Sequence, residues 1–212
     1  MPATTPSTQP PDRLGIFGGT FDPIHFGHLL LAEYCREVCR LDQLWFMPAI
    51  VAPHKQHREA TPAATRIEML QLAIAGHPQF HVSDLEIRRG GVSYTVDTLE
   101  ALHQEFPRTQ LFFLMGADSL EDFPTWRQPD RICELAIPVC VRRFGSAEPD
   151  FARLAPWTSS ARLAEIQNYA VAMPRIELSS TELRQRCAAG QSIRFQTPRA
   201  VEEFIRHHHV YQ

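Results

Sequence analysis

Short apolar runs alternate along the chain with stretches in which apolar residues recur every three or four positions. Runs at 14–17, 44–47, 81–87, 111–115, 137–141 and 169–176 predict β-strands. Helix-period segments at 27–40, 62–75, 95–106, 127–135, 180–189 and 198–207 predict the elements between and after them. That rhythm belongs to a mostly parallel sheet with crossover helices, so the predicted class is α/β. Thr61-Pro62 and Thr197-Pro198 each place a capping hydroxyl before a proline at the first helical position, where the missing amide costs nothing. Ser179 with Glu182 fits a capping box, and Gly190 stands where a left-handed C-terminal cap falls. The Pro- and Ser-containing stretch 146–160 reads as an insertion rather than a linker.

With 212 residues, 44% of them hydrophobic, the chain can bury roughly 70% of its unfolded surface without a disulfide or structural metal. A single domain over 13–212 is expected. Residues 1–12, with neither positive charge nor apolar run, read as a disordered lead-in rather than a targeting peptide. The 21 Lys+Arg and 24 Asp+Glu leave a net charge of −3, which supplies no global field for nucleic acid. Any anion site must therefore be local. The strongest apolar run, 111–117, falls short of the roughly 18–20 residues that span a bilayer, so no membrane partner is expected. Cys35, Cys39, Cys133, Cys140 and Cys187 form an odd set without a CxxC pair, which fits reduced thiols in a cytoplasmic protein.

Between the first strand and the first helix runs Gly18-Gly19-Thr20-Phe21-Asp22-Pro23-Ile24-His25-Phe26-Gly27-His28. In an open α/β sheet, ligands sit beyond the carboxyl ends of the strands. A glycine pair there lets backbone amides approach a phosphate, and the helix N-terminus adds positive potential. His25 and His28, three apart, would offer two donors to one anion. The same residues admit other readings: a plain turn, or zinc ligation by His25, His28 and Asp22 in a hydrolase, although the spacing matches neither HExxH nor a Cys/His framework. A Walker A pattern and a GxGxxG after the first strand are both absent. Near the other end, the amides and hydroxyls of Ser180 and Thr181 open a helix, and Arg184 can turn a planar fork toward phosphate oxygens. Ser179 as a mere cap and Arg184 as a solvated cation is the alternative there.

The string GGTFDPIHFGH resembles the first motif of the HxGH nucleotidyltransferase superfamily, and in its fuller form that of bacterial nicotinate-nucleotide adenylyltransferases. Leu178-Ser179-Ser180-Thr181-Glu182-Leu183-Arg184 is similar to the superfamily's ISSTxIR, with leucine twice replacing isoleucine. Pro53-His54-Lys55 resembles the PHK loop, Ser93-Tyr94-Thr95 the SYT segment, and Gly116-Ala117-Asp118 with Trp126-Arg127 the GxDxxxxxxxW element. The resemblance implies a doubly wound, Rossmann-like nucleotidyltransferase fold and transfer of AMP from ATP to nicotinate mononucleotide. It implies His25, His28 and Arg184 as catalytic groups. Gly18, Gly19, Thr20, Phe21, Gly116, Asp118, Ser180 and Thr181 would hold ATP, and Asp22, Lys55, Tyr94, Thr95, Trp126 and Arg127 the mononucleotide. Mg²⁺ would arrive with the triphosphate, so no dedicated metal cage is expected. Nicotinamide mononucleotide or phosphopantetheine as acceptor, and a non-catalytic ATP-binding regulator, are the competing readings. His207-His208-His209 read as the end of the last helix, where positive charge complements the dipole.

Overall fold

Arg13–Gly19 (β1) carries four successive buried residues, Leu14 to Phe17, and Gln43–Pro48 (β2) is buried along its whole length. Strands apolar on both faces need cover on both faces, which is the signature of a parallel sheet. In this computed structural model, which describes residues 10–50, 60–143 and 148–212 without the side chains of Asp118 and Arg143, four further strands complete it. They are Phe80–Val82 (β3), Gln110–Gly116 (β4), Ala136–Arg143 (β5) and Val171–Met173 (β6). All neighbours pair in parallel, in the order β3-β2-β1-β4-β5-β6. Ile16 of β1 lies opposite Trp45 on one side and Phe113 on the other. The chain winds outward from β1 to β3, then crosses back to β4 on the opposite side of β1. That reversal opens a crevice at the carboxyl ends of β1 and β4.

The connections are Phe26–Val38 (α1), Ala63–Ile74 (α2), Leu85–Arg89 (α3), Thr95–Glu105 (α4), Ala117–Asp122 (α5), Pro129–Leu135 (α6), Ser160–Asn168 (α7), Ser180–Ala188 (α8) and Arg199–His207 (α9). The expected α/β class and mostly parallel sheet are observed. Several predicted bounds are corrected. The run 81–87 is a strand only through Val82, because Leu85 and its successors coil into α3. The last strand is only three residues long, with Tyr169 ending α7 rather than opening the strand. The stretch read as an insertion is built into the fold over its described part: a 3-10 turn at Phe151–Trp157 buries Leu154 completely, and α7 follows.

The capping expectations divide. Ser179 Oγ accepts from the Glu182 amide at 3.1 Å, and Gly190, at φ +68°, closes α8. Thr61 and Thr197 do not cap. In both helices the proline itself is the extended first residue, so the hydroxyl lies one position too far from the orphan amides. The residues just before β1 are bonded to the sheet's other half: the carbonyl of Pro11 accepts from Thr109 Oγ1 at 2.7 Å, and that of Asp12 from the Gln110 amide at 2.8 Å. Among the described residues, no helix is long and apolar enough to cross a membrane.

Candidate active site

The loop from Gly18 to His25 leaves the carboxyl end of β1 and delivers the chain to α1. Gly19 is required by space: a Cβ there would stand 2.8 Å from Cζ of Phe21. Phe21 itself adopts φ +48°, a left-handed conformation costly for a bulky residue. Burial of its ring, 2% exposed, offsets that cost. His25 is the extended N-cap residue of α1, and its carbonyl accepts from the amides of His28 and Leu29 at 2.9 and 3.2 Å. One turn of helix thus brings the two imidazoles face to face, with ring centroids 3.7 Å apart and planes 18° from parallel. Phe21 meets His28 edge-on at 5.2 Å. Gly27 makes the stack possible, since a Cβ there would lie 3.0 Å from Nδ1 of His25.

The second motif is fastened to this loop. Ser180 Oγ donates to the carbonyl of Pro23 at 2.8 Å, and Arg184 donates through Nη1 to the carbonyl of Asp22 and through Nη2 to Thr181 Oγ1 at 3.0 Å. Just beyond α8, Thr197 Oγ1 donates to the carbonyl of Ile24 at 2.7 Å, and Gln196 accepts from the Phe26 amide. The structure therefore brings His25, His28, Ser180, Thr181 and Arg184 to one corner, where two helices, α1 and α8, begin. Two helix N-termini and a guanidinium give that corner a positive local potential on a chain of net negative charge, and the two imidazoles stand beside them.

Beside it, in the crevice, lies a cavity of about 320 Å³. Gly18, Gly19 and Thr20 form one wall, and Ser93, Tyr94, Thr95, Trp126 and Arg127 line others. Trp126 packs against Phe113 and Phe123, with ring centroids 5.7 and 5.4 Å away, and its Nε1 is a buried donor with no partner among the described residues. Arg127 stands 5.0 Å over the Tyr94 ring and pairs with Asp97 at 3.4 Å. Tyr94 is the N-cap residue of α4, so the amides of the first α4 turn begin at this wall. Such a cavity suits a flat ring carrying an acceptor group. Gly116 opens α5 at the end of β4, with nothing within 4 Å of the place a Cβ would occupy. The Asp118 side chain and Lys55 lie outside the described residues.

Asp22 does not line the cavity. Its carboxylate, 5% exposed, accepts from Tyr211 and from the Thr61 amide instead. Among the described residues, no group of three His, Cys, Asp or Glu side chains is arranged to hold a metal ion. Two features went unread in the sequence. Glu86 lines the cavity and accepts from Thr98 Oγ1 at 2.7 Å, while Arg89 donates to the same hydroxyl at 3.0 Å. Reading 81–87 as a strand hid this cluster. Arg66, 2% exposed, donates to the carbonyls of Thr20 and Thr61. Its signal was available: it is a cation in the buried stripe Arg66, Met69, Leu70, Ile74 of α2.

The chain matches the cytidylyltransferase-like family over residues 16–186, a span holding both loops of the positive corner. A Thermomicrobium roseum protein named "Probable nicotinate-nucleotide adenylyltransferase" is 46% identical over 200 residues, covering 94% of this chain and 92% of its own length. A Rhodopirellula baltica protein of the same name is 38% identical, covering 100% and 99%. A solved Plasmodium falciparum nicotinic acid mononucleotide adenylyltransferase, complexed with NaAD, superposes with a TM-score of 0.73 at 16% identity over 94% of this chain and 97% of its own, a likeness of fold. With near-complete coverage at these identities, the chain belongs to the cytidylyltransferase-like family, among its nicotinate-nucleotide adenylyltransferases.

Proposed function

We propose that the protein transfers the adenylyl group of ATP to nicotinate mononucleotide, giving the deamido dinucleotide and pyrophosphate. The observation that carries this reading is the stacked His25–His28 pair on a loop gripped by Ser180 and Arg184, beside an aromatic-lined cavity. An oxygen of the mononucleotide 5′-phosphate attacks the α-phosphorus of ATP. The bond from that phosphorus to the bridging oxygen breaks, and both electrons leave with pyrophosphate. A phosphate monoester with a second pKa near 6 is already largely dianionic at neutral pH, so the nucleophile needs no base. The barrier lies in aligning two anions and in stabilising charge on the departing phosphates.

His25 and His28 serve as donors to the phosphate chain, and Arg184 with the α8 N-terminus stabilises pyrophosphate. Mg²⁺ comes with the triphosphate and neutralises part of its charge; phosphate oxygens and water suit it, so the protein need supply no carboxylate cage. Preference for nicotinate over nicotinamide follows from the α4 amides, the Arg127 cation and the Trp126 N–H, all of which favour a carboxylate. A chain whose five cysteines are all free thiols suits a reducing compartment such as the cytoplasm.

The test supplies ATP, Mg²⁺ and each mononucleotide in turn and follows pyrophosphate release. Release with nicotinate mononucleotide, and several-fold less with the nicotinamide compound, is expected. Equal rates defeat the specificity, and no release with either defeats the transferase reading.

A further inference from the structure

The imidazole-bearing loop contains one carboxylate, Asp22, and the proposed chemistry makes no use of it. One of its oxygens accepts from the Tyr211 hydroxyl at 2.6 Å and the other from the Thr61 amide at 3.2 Å. Arg66 closes the circuit, donating through Nε to the Thr61 carbonyl and through Nη1 to the Thr20 carbonyl, each at 2.8 Å. α2, which carries Arg66, packs against α9, and Tyr211 lies four residues beyond α9. Helix packing thus delivers both side chains to the same loop. The buried Arg66 charge has the Asp22 charge as its counterpart, the condition under which a buried cation is tolerable. Burial, together with the neighbouring Asp22 carboxylate, pushes the Tyr211 phenol up, so it keeps its proton and remains a donor.

The position of this circuit matters. Arg66 pins Thr20 and Tyr211 pins Asp22, on either side of Phe21 in its left-handed conformation. A residue so strained relaxes unless both flanks are held. Asp22 is only three residues from His25, and Arg184 holds the Asp22 carbonyl as well. We propose that Tyr211 is a positioning residue for adenylyl transfer: its hydroxyl fixes Asp22 and, through the Asp22–His25 backbone, the placement of the stacked imidazoles. Neither Tyr211 nor Asp22 lines the cavity, so their effect falls on turnover rather than on substrate capture.

The inference rests on the transferase reading, and the experiment separates the two. Tyr211→Phe removes the hydroxyl and keeps the ring; Asp22→Asn keeps the size and removes the charge. In protein shown to be folded at the assay temperature by circular dichroism, each variant lowers kcat about tenfold with both KM values changed less than about twofold. The double variant loses no more than the larger single loss, as expected for groups acting through one contact. The imidazole proton NMR signals of His25 and His28 shift in Tyr211→Phe. A Tyr211→Phe protein with kcat within about twofold of the parent and unshifted histidine signals overturns the proposal, whatever its melting temperature. Absence of pyrophosphate release from the parent overturns the transferase reading instead, and the histidine signals still decide whether Tyr211 positions the loop.

Discussion

A methyl group at position 27 would sit 3.0 Å from Nδ1 and 3.1 Å from Cε1 of His25, so Gly27→Ala forces the ring out of its stack by a few tenths of an ångström. Turnover should fall by about tenfold or more while the melting temperature moves little, because the cost lands on ring placement rather than on the core. His28→Ala removes a donor outright and should lower kcat by about 10²-fold with the fold intact, as for loss of one oxyanion donor. A folded, fully active His28→Ala protein would remove the imidazoles from the mechanism. The cysteines behave differently. Burial pushes the Cys39 thiol up to about 12, against the pull of Arg13, and Cys133 up to about 11; burial and neighbouring thiols raise Cys35 well above the ordinary thiol range. Cys187 is raised too, but it is only half-buried. Iodoacetamide at about pH 8 should therefore label Cys187 first in the native protein and reach the buried thiols only after denaturation.

Individual elements were legible where their pattern was local. β1, β2 and β4 are continuous apolar runs each preceded by a polar residue, Arg13, Gln43 and Gln110, and the structure puts each within a residue or two of its predicted span. The predicted third strand overruns β3 because Leu85 and Ile87, two apart, mimic a strand pattern after Val82, although the backbone has already turned into α3. α7 escaped notice because much of its surface is polar and only Ile166 is fully buried. β3 also carries a pH-sensitive group. Burial pulls the His81 imidazole below its ordinary pKa of 6.5, and nearby His77 adds to the effect. The unfolded chain then binds a proton that the native ring refuses, so stability present above about pH 6.5 is lost as pH falls toward the native value. Thermal melts should show the melting temperature dropping between about pH 7 and about pH 5, and His81→Asn should flatten that slope.

At the scale of the whole molecule, the doubly wound order places β1 at the centre and the working crevice beside it; strand rhythm announces a mostly parallel sheet, whereas the strand order is seen only in the structure. The histidine pair, the α8 start and the aromatic wall were each visible as short motifs. The bonds that join them were not. Arg184 to Asp22, Ser180 to Pro23, Thr197 to Ile24 and Tyr211 to Asp22 link positions more than 150 residues apart, and no periodicity or cap encodes such a pairing. Those bonds also order events in time. Ribosomes make β1 and its loop early, and Thr61 and Arg66 soon after, yet Ser180, Arg184, Thr197 and Tyr211 are added only near the end of the chain. A nascent copy can therefore pair its first strands before the distal clasp of this loop exists.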